Sequence, residues 1–421
     1  MAEIIVTSTA DSGAGTLRQA IADAQDGDVI LFDAAVFPEG VIPPAVIEIS
    51  SQIAINKSIT IDGDDRVSVD GQNIVRCFYV ATAGIEVALS KLWIMNGSAQ
   101  GGGGVYISSS AKATISDCDI MSCSSSSHGA GVFVRDTAQA IIVNCSLTNN
   151  TASNNGGGVY VRDSAQATLI NCNMQGNGAA TGQALYSTQT AAVVVSDCSL
   201  TLGAGSVVFS GSGSASVIDS RLYDVDFGAS VTTTIDGATV IDNFYARSGS
   251  TVTLADGAGL AITSAATVTG ATITSAGRSY LALADDVDVS AATIASSVIQ
   301  CEYGAGLTAF DATITGDAAS ATWTQTDSTK TILLEADSGS GYATLTQSAA
   351  GSYTFTTPSP TAYKFLAFDG ERFFKKTVTR TYYYIGGAEG SFTSASDWSL
   401  TSGGAAISAA PTVKDCKFII E

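Results

Sequence analysis

Apolar and polar residues alternate one by one through the middle of the chain. In the segment IIVNCSL, every second residue is apolar: Ile141, Val143, Cys145 and Leu147. The segment INCNM, which begins at Ile170, alternates in the same way. A period of two places these side chains on one face of an extended segment and is typical of strands rather than helices. Gly, Ser, Asn and Asp separate the segments, so the pattern predicts short β-strands joined by turns.

Four copies of this pattern lie between Gly102 and Leu200. They begin GGGVYISSSAKATISDCDI, GAGVFVRDTAQAIIVNCSL, GGGVYVRDSAQATLINCNM and QALYSTQTAAVVVSDCSL. Cysteine recurs in them at steps of 27, 27 and 26 residues: Cys118, Cys145, Cys172 and Cys198. An aromatic residue keeps the same steps: Tyr106, Phe133, Tyr160 and Tyr186. A fixed period of this length marks a solenoid, and strands that recur once per coil lie parallel at ~4.8 Å. The sequence therefore predicts an all-β, parallel β-helix.

The four repeated cysteines would form an inward ladder in such a fold. A second ladder would lie beside it: Ile120, Leu147, Met174 and Leu200. Stacked side chains point in parallel directions, which disfavours disulfides, so we interpret the cysteines as small buried hydrophobic residues. The chain has 8 cysteines but no CxxC and no Cys/His cluster. We therefore expect no metal site and no cofactor.

Residues 1–44 contain a helical pattern. Thr16 is predicted as the N-cap of a helix from Leu17 to Gln25, with Gln19 at the capping-box position and Asp26-Gly27 at the end. The strand Val29–Phe32 follows. The first coil of a solenoid exposes its core unless something covers it, so we interpret residues 1–44 as an N-terminal cap.

Residues 45–320 are predicted to form the β-helix. Its first strands are predicted at Ile47–Ile49, Ile53–Ile55, Ser58–Ile61, Val67–Val69 and Ile85–Ile94. The tripeptide Ala-Thr-Ile later recurs at steps of 21 and 20 residues, beginning at Ala271, Ala292 and Ala312. The coil therefore shortens, and we expect small side chains inside this later half. At roughly 23 residues per coil, the segment would hold about a dozen coils.

The composition changes after residue 320. The predicted strands Tyr363–Phe368 and Glu371–Val378 flank Asp369-Gly370, a hairpin signal of type I′. We interpret residues 321–380 as a C-terminal β cap or a small β module. Residues 381–421 resemble the start of a further repeat in large bacterial surface proteins, or form a linker, and we expect the chain to be part of a longer protein.

The net charge of −20 and the single histidine narrow the possible partners. An acidic chain disfavours nucleic acid and anionic membranes. Acidic side chains keep a long β surface in solution, and cation binding between coils is the alternative. The sequence contains neither a long apolar run nor a signal peptide, so the export route is left open.

Two parts of the sequence resemble known families. VTSTADSGAGTLRQAIADAQDGDVILF and IAINKSITIDGDDRVSVDGQ resemble the opening of many bacterial proteins of the pectin-lyase-like superfamily. The GGGV and LTNN segments resemble the GGA(I/V/L) and FxxN motifs of chlamydial polymorphic membrane protein repeats, which are autotransporter passengers. Leu147 with Asn150, and Met174 with Asn177, keep the FxxN spacing without its Phe. The resemblance covers roughly the first half of the chain. It implies a right-handed β-helix and surface or secreted display, and it implies no catalytic residue.

Charged residues recur one coil apart in the repeats. Arg135-Asp136 and Arg162-Asp163, with His128 nearby, are the candidate contacts for a glycan, because an arginine and two carboxylates suit an acidic sugar. A surface ion ladder of little energetic value is the alternative. The acidic pair Asp64-Asp65 lies about two coils from His128, and no nucleophile stands beside a base. We therefore predict no catalytic residue.

These observations favour a non-catalytic protein at the cell surface or outside the cell. It would act as an adhesin, a display rod or a spacer, with a glycan or a host-surface molecule as its partner. The competing hypothesis is a carbohydrate-active enzyme of the pectin-lyase-like superfamily, either a polysaccharide lyase or a hydrolase.

Overall fold

The computed structural model describes residues 2–200, 205–305, 307–315, 318–337, 342–356, 363–369, 373–378, 381–384, 398–399 and 417–420. The chain divides into two compact units, which are residues 1–279 with 286–298, and residues 280–285 with 299–421. The predicted boundaries at residues 44, 320 and 380 stay predictions.

Short strands make up most of the described chain. In chain order, the strands that begin in the first unit are β1 (Glu3–Val6), β2 (Val29–Phe32), β3 (Ala45–Glu48), β4 (Ile53–Ile55), β5 (Thr60–Asp62), β6 (Val67–Asp70), β7 (Phe78–Val80), β8 (Glu86–Ser90), β9 (Trp93–Met95), β10 (Ser98–Gly101), β11 (Val105–Ile107), β12 (Lys112–Ser116), β13 (Asp119–Met121), β14 (Ser124–His128), β15 (Val132–Val134), β16 (Gln139–Val143), β17 (Ser146–Thr148), β18 (Thr151–Ala152), β19 (Val159–Val161), β20 (Gln166–Ile170), β21 (Asn173–Gln175), β22 (Leu185–Ser187), β23 (Ala192–Ser196), β24 (Ser199–Leu200), β25 (Ser206–Phe209), β26 (Ser214–Ile218), β27 (Arg221–Phe227), β28 (Thr232–Asp236), β29 (Ala238–Ala246), β30 (Thr251–Leu254), β31 (Gly259–Val268), β32 (Thr272–Ser275), β33 (Ser279–Leu283), β34 (Thr293–Ile294) and β35 (Val298–Glu302). The remaining strands are β36 (Leu307–Thr315), β37 (Ala318–Gln325), β38 (Ile332–Asp337), β39 (Tyr342–Ser348), β40 (Ser352–Thr356), β41 (Tyr363–Phe368), β42 (Phe373–Val378), β43 (Thr381–Tyr384), β44 (Trp398–Ser399) and β45 (Lys417–Ile420).

The predicted N-terminal helix is present but short. The helix α1 (Leu17–Asp23) begins after Thr16, whose hydroxyl accepts a hydrogen bond from the backbone N–H of Gln19 at 3.2 Å. The side chain of Gln19 donates to Asp23 at 2.8 Å, so it does not complete the capping box. The helix ends earlier than predicted, with Ala24 at its C-cap. Its buried face packs against β1 and β2.

The first sheet confirms the predicted parallel solenoid. Thirteen strands follow one another in it, in the order β1-β2-β5-β8-β12-β16-β20-β23-β26-β28-β30-β32-β34. Neighbouring strands in this sheet are parallel, as in β12 with β16 and β16 with β20. Twelve steps of ~4.8 Å give this sheet a length of roughly 58 Å. The expectation of about a dozen coils is therefore confirmed.

The other strands change their arrangement along the solenoid. Up to β25 they form two ladders, β3-β6-β9-β13-β17-β21-β24 and β4-β7-β11-β15-β19-β22-β25, and the 3-stranded sheet β10-β14-β18 lies between them in sequence. Both ladders then join the single strand β27, which pairs with β29. In the part of the chain that the structure describes, the shorter later coils lack a strand of the third sheet. Without it, the strands of the two ladders follow each other directly and form one long strand.

The cysteine ladder is inside, as predicted. Cys118, Cys145, Cys172 and Cys198 are free thiols, and each is only 2% exposed. Each thiol donates to a carbonyl of the preceding coil, for example Cys145 Sγ to Ile115 O at 3.4 Å. Hydrogen bonding with Cys118 and burial raise the pKa of the Cys145 thiol, so it stays protonated at neutral pH. The second predicted ladder is also buried: Ile120, Leu147, Met174 and Leu200.

The alternation on the N-terminal side of each cysteine was predicted with the wrong phase. Ile141 is 44% exposed, and Val143 and Ile170 are half-buried. Their neighbours Ile142 and Leu169 fill the core instead. The reason is a turn residue with positive φ (53° at Asn144 and 50° at Asn171), which breaks the strand and resets its inward face.

A further predicted strand breaks for the same reason. The predicted strand Ile85–Ile94 is two strands, β8 and β9, because Lys91 has φ 50°. The expectation of small inner side chains in the later half was also wrong. Phe209, Phe227 and Phe244 are at most 1% exposed there, and neighbouring ring centroids are 5.7 and 5.4 Å apart.

The asparagines at the FxxN spacing are internal. Asn150 is fully buried, and its side chain accepts from Cys123 N at 3.0 Å and donates to Ile120 O at 2.9 Å. Asn177 repeats this one coil later, accepting from Asn150 N at 2.9 Å and donating to Leu147 O at 2.8 Å. These asparagines satisfy backbone groups at the bend between two strands of a coil.

The glycines of the GGGV segments are required by shape. Gly156 has φ 66°, which a side chain disfavours. A Cβ on Gly157 would lie 2.6 Å from the carbonyl oxygens of Gly178 and Gln183. The chain therefore passes so close to the next coil that a side chain larger than hydrogen would force the coils apart.

Two antiparallel sheets make up most of the described second unit, while β43 pairs parallel with β45. β36, β37 and β40 form one sheet and β39, β38, β41 and β42 another, around a core that contains Trp323, Ile332 and Leu334. The predicted hairpin of β41 with β42 is confirmed, although Gly370 of its turn lies outside the described residues. Assigning Ala312–Ile314 to a coil was wrong, because these residues pair antiparallel with β37. The local alternation of apolar and polar residues is the same for a strand in a parallel coil and for a strand in an antiparallel hairpin, so it cannot distinguish them.

We expect Asn150→Ala to destabilise the solenoid by about 2–4 kcal/mol, because it leaves Cys123 N and Ile120 O buried without partners. Denaturant unfolding followed by far-UV circular dichroism measures this change. Asn173→Ala is the matched control, since Asn173 is exposed on β21 and should change the midpoint little. Equal losses in the two variants would contradict a structural role for the buried asparagines.

Native thiol titration tests the cysteine ladder. We expect Cys145 and Cys172 to be unreactive in the folded protein and reactive after denaturation, because both are buried. A disulfide at either position, found by mass spectrometry of the alkylated protein, would contradict the ladder.

Candidate functional site

Five aromatic side chains line the outer face of the solenoid. Their strands place them in register, one per coil: Tyr79, Tyr106, Phe133, Tyr160 and Tyr186. Neighbouring ring centroids are 5.0 to 5.6 Å apart. We call these residues the aromatic column. Its rings contact one another, so the column offers little free ring face to a ligand.

The third sheet covers the middle of the aromatic column. Phe133 and Tyr160 are only 6% and 4% exposed. His128, at the end of β14, stacks on the Tyr160 ring at 4.8 Å and 13°. Its Nδ1 is buried and has no hydrogen-bond partner within the described chain. Burial and the charge of Arg162 lower the pKa of His128, which makes it neutral at pH 7.

The candidate glycan contacts Asp136 and Asp163 lie at tight turns. Each has φ 60° and follows a column strand. Asp136 Oδ2 accepts from Ser109 N at 3.0 Å, and Asp163 Oδ2 accepts from Asp136 N at 3.1 Å. Each carboxylate therefore caps the turn of the preceding coil.

Arg135 and Arg162 hold the other carboxylate oxygens. Arg135 Nε is 3.0 Å from Asp136 Oδ1, and Arg162 Nε is 3.1 Å from Asp163 Oδ1. Burial raises the pKa of Asp136, but the Ser109 N–H and Arg135 outweigh it, and the net pKa is lowered. The four residues thus form a connected ladder of ion pairs beside the aromatic column.

Arg76 closes the N-terminal end of the column, and sequence reasoning missed it. Its guanidinium lies over the rings of Tyr79 and Tyr106, at 5.1 and 4.6 Å from their centroids. It donates to the carbonyls of Gly101 and Gly102 at 2.7 and 2.8 Å. Arg76 lies outside the four repeats, so no periodicity could have identified it.

The outward register of the column continues into the later coils. Tyr186 pairs with Val208, and the following partners are Asp226, Tyr245 and Thr267. A cavity of about 460 Å³ lies there, which we call the Tyr245 pocket. Its lining is Asp226, Ala229, Tyr245, Arg247, Ser248, Thr267 and Thr269. The acidic alternation in YDVDF was the signal in the sequence that could have suggested this region.

A second depression, of about 610 Å³, lies on the outer face of the first sheet. Its lining includes Ser58, Glu86, Lys112, Gln139 and Ile141. Glu86 and Lys112 pair with each other at 2.8 Å. In the described part of the chain, no group of three or more His, Cys, Asp or Glu side chains could hold a metal ion. No described helix is long and apolar enough to cross a membrane.

A family model described as a right handed β-helix region matches residues 55–201 and again residues 130–293. Together these ranges cover more than half of the chain. The protein belongs to this right-handed β-helix family. The handedness expected from the sequence is therefore confirmed. A comparison with curated proteins found no match.

Three solved structures are similar to this chain at low identity. Pectate lyase Pel9A is 12% identical with a TM-score of 0.41, covering 71% of this chain and 79% of its own. A mannuronic acid specific polysaccharide family 6 lyase from human gut microbiota is 10% identical with a TM-score of 0.29, covering 70% and 83%. The enzymatically active domain of bacteriophage CBA120 tailspike protein 4 is 12% identical with a TM-score of 0.27, covering 83% and 61%. Likenesses this distant carry no argument about activity.

The single histidine of this β-helix protein can be titrated by NMR without overlap. We expect the pKa of His128 to lie below its ordinary value of 6.5 and to rise in Arg162→Met. Since the folded pKa is lowered, the contribution of His128 to stability is present above pH 6.5 and is lost as the pH falls through the folded pKa. Lys112→Met is the control, because Lys112 lies on the first sheet, away from His128. An unshifted pKa would contradict the packing on Tyr160.

Proposed function

We propose that the protein is a non-catalytic β-helix rod, displayed at a cell surface or outside the cell, that binds glycans along its outer face. It acts as an adhesin or as a spacer that carries a binding surface. The observation that carries the proposal is that the carboxylates of Asp136 and Asp163 already have structural partners. Their carboxylates are engaged by backbone N–H groups and by arginines.

Glycoside hydrolysis needs two carboxyl groups in different protonation states, one to donate a proton and one to accept it. The lowered pKa of Asp136 keeps that group ionised at neutral pH, so it is no proton donor. His128 lies against an aromatic ring instead of a carboxylate that could orient it as a base. Both features favour binding over turnover.

The repeating geometry suits a repeating ligand. Arg135 and Arg162 come directly after the column strands β15 and β19, and their side chains are 36% and 31% exposed. A cationic side chain therefore stands beside the aromatic column on consecutive coils. A polysaccharide that follows the rod can contact equivalent groups at successive coils, and weak contacts then add up. The resemblance to autotransporter passenger repeats supports surface display.

Turnover and binding assays test the proposal. The purified chain is incubated with pectin, alginate and glycosaminoglycans, with and without Ca²⁺, and reducing ends and unsaturated products are measured. We expect no turnover, together with glycan-array binding that Arg135→Ala/Arg162→Ala weakens and Lys112→Ala does not.

Two outcomes would count against this proposal. Turnover that is lost in Arg162→Ala but retained in Lys112→Ala would establish the competing enzyme hypothesis. If no glycan on the array binds, the proposed glycan binding is wrong and only the spacer role is left.

A further inference from the structure

The Tyr245 pocket is built from three consecutive coils. Asp226, Tyr245 and Thr267 stand in register on β27, β29 and β31 and form its floor. The turns that follow these strands supply the wall: Ala229, Arg247, Ser248 and Thr269. A volume of about 460 Å³ lies within the usual size of a small-ligand site.

A charge pair fixes the polar side of the pocket. Arg247 Nε lies 3.0 Å from Asp226 Oδ1, and Arg247 Nη2 contacts the second oxygen, Oδ2. This two-pronged contact holds the guanidinium in a defined plane beside the carboxylate. The side chain of Arg247 is still 63% exposed. The pocket therefore presents hydrogen-bond donors and acceptors side by side while their charges cancel.

Tyr245 supplies an apolar surface next to this pair. The residue is 37% exposed, and its ring makes no ring contact within the described chain. It differs in this respect from the aromatic column, in which the rings contact one another. An exposed tyrosine ring offers a flat apolar face and a hydroxyl at its edge.

The surrounding charges select against anions. Asp224 and Asp242 stand on the same two strands, where Asp224 accepts from Asn243 at 2.6 Å and Asp242 pairs with Arg221 at 3.3 Å. Arg247 is neutralised by Asp226, so an incoming carboxylate or sulfate finds no spare positive charge. The net charge of −20 adds a general repulsion of anions.

We infer that the Tyr245 pocket binds an uncharged sugar unit. One face of the sugar ring packs on Tyr245, and its neighbouring hydroxyls bond to Arg247, Asp226 and the pocket hydroxyls. This inference rests on the proposed glycan-binding function. It adds a site downstream of the repeats and a ligand class, which is neutral hexose or pentose residues.

Calorimetric titration of the whole chain tests the inference. The probes are cellohexaose, maltohexaose and xylohexaose as neutral oligosaccharides, with hexagalacturonate as the anionic comparison. We expect at least one neutral probe to bind and hexagalacturonate to bind the pocket more weakly. Tyr245→Ala should lower the neutral affinity at least about tenfold, and Tyr245→Trp should retain it.

Arg247→Gln should also lower the affinity for the neutral oligosaccharide, because it removes the guanidinium and leaves the Asp226 carboxylate without its ion-pair partner. Tyr223→Ala is the matched control, since Tyr223 is a half-buried residue of β27 outside the pocket lining. Far-UV circular dichroism and the unfolding midpoint confirm that each variant is folded.

The outcomes separate this inference from the proposal on which it rests. If a neutral oligosaccharide binds Tyr245→Ala as well as the unchanged chain, or if none binds at all, the inference about the Tyr245 pocket is wrong. If only the anionic probe binds and Arg135→Ala/Arg162→Ala abolishes that binding, the proposed function stands and the inference is wrong. Turnover that depends on Arg162 overturns the proposed function, whatever Tyr245→Ala does.

Discussion

Parallel hydrogen bonding between coils, in register, is the constraint on which the rest of this structure depends. Each position faces its counterpart on the coils above and below at ~4.8 Å, so a residue is accepted only if it fits against the residues at that position on both neighbours. Gly157 has no room for a side chain against Gly178 and Gln183. The Asn150 side chain accepts a hydrogen bond from the backbone of the preceding coil, and its own backbone N–H donates to Asn177 on the next coil. The repeat in the sequence is therefore a direct consequence of the coil-to-coil contact.

The same constraint explains how coil length varies without loss of order. Strands of the first sheet stay in register although their equivalent residues Ser214, Thr232, Thr251 and Thr272 are separated by 18, 19 and 21 residues. The residues removed come from the turns and the third sheet, whose buried side chains are small, as Ser125 and Ala152 are. At the cysteine position, Ser220 takes over the stack, because its hydroxyl donates to Ile218 O at 2.7 Å as the thiols do to carbonyls.

This mechanism sets the limits of sequence reasoning. The fold and the cysteine ladder followed from periodicity, since stacking imposes periodicity, and the helix followed from its N-cap Thr16. The inward phase of Ile141 could not be derived, because a single turn residue, Asn144, inverts it. Ala312 repeats a coil signature yet lies in a hairpin, since strand pairing depends on distant residues. Arg76 and the Tyr245 pocket escaped notice because neither repeats.

Features that do not repeat are where a pocket for a single ligand unit is best sought in such a rod. The stacked carboxylates Asp136 and Asp163 use their oxygens on the neighbouring coil, so only the partly exposed arginines beside them are left to contact a ligand. Tyr245 continues the register of the aromatic column, but its neighbours in that register are Asp226 on one side and Thr267 on the other. Because no ring follows, the tyrosine face stays free and the coil leaves a cavity. The interruption of the stack thus creates the unsatisfied surface that a ligand requires.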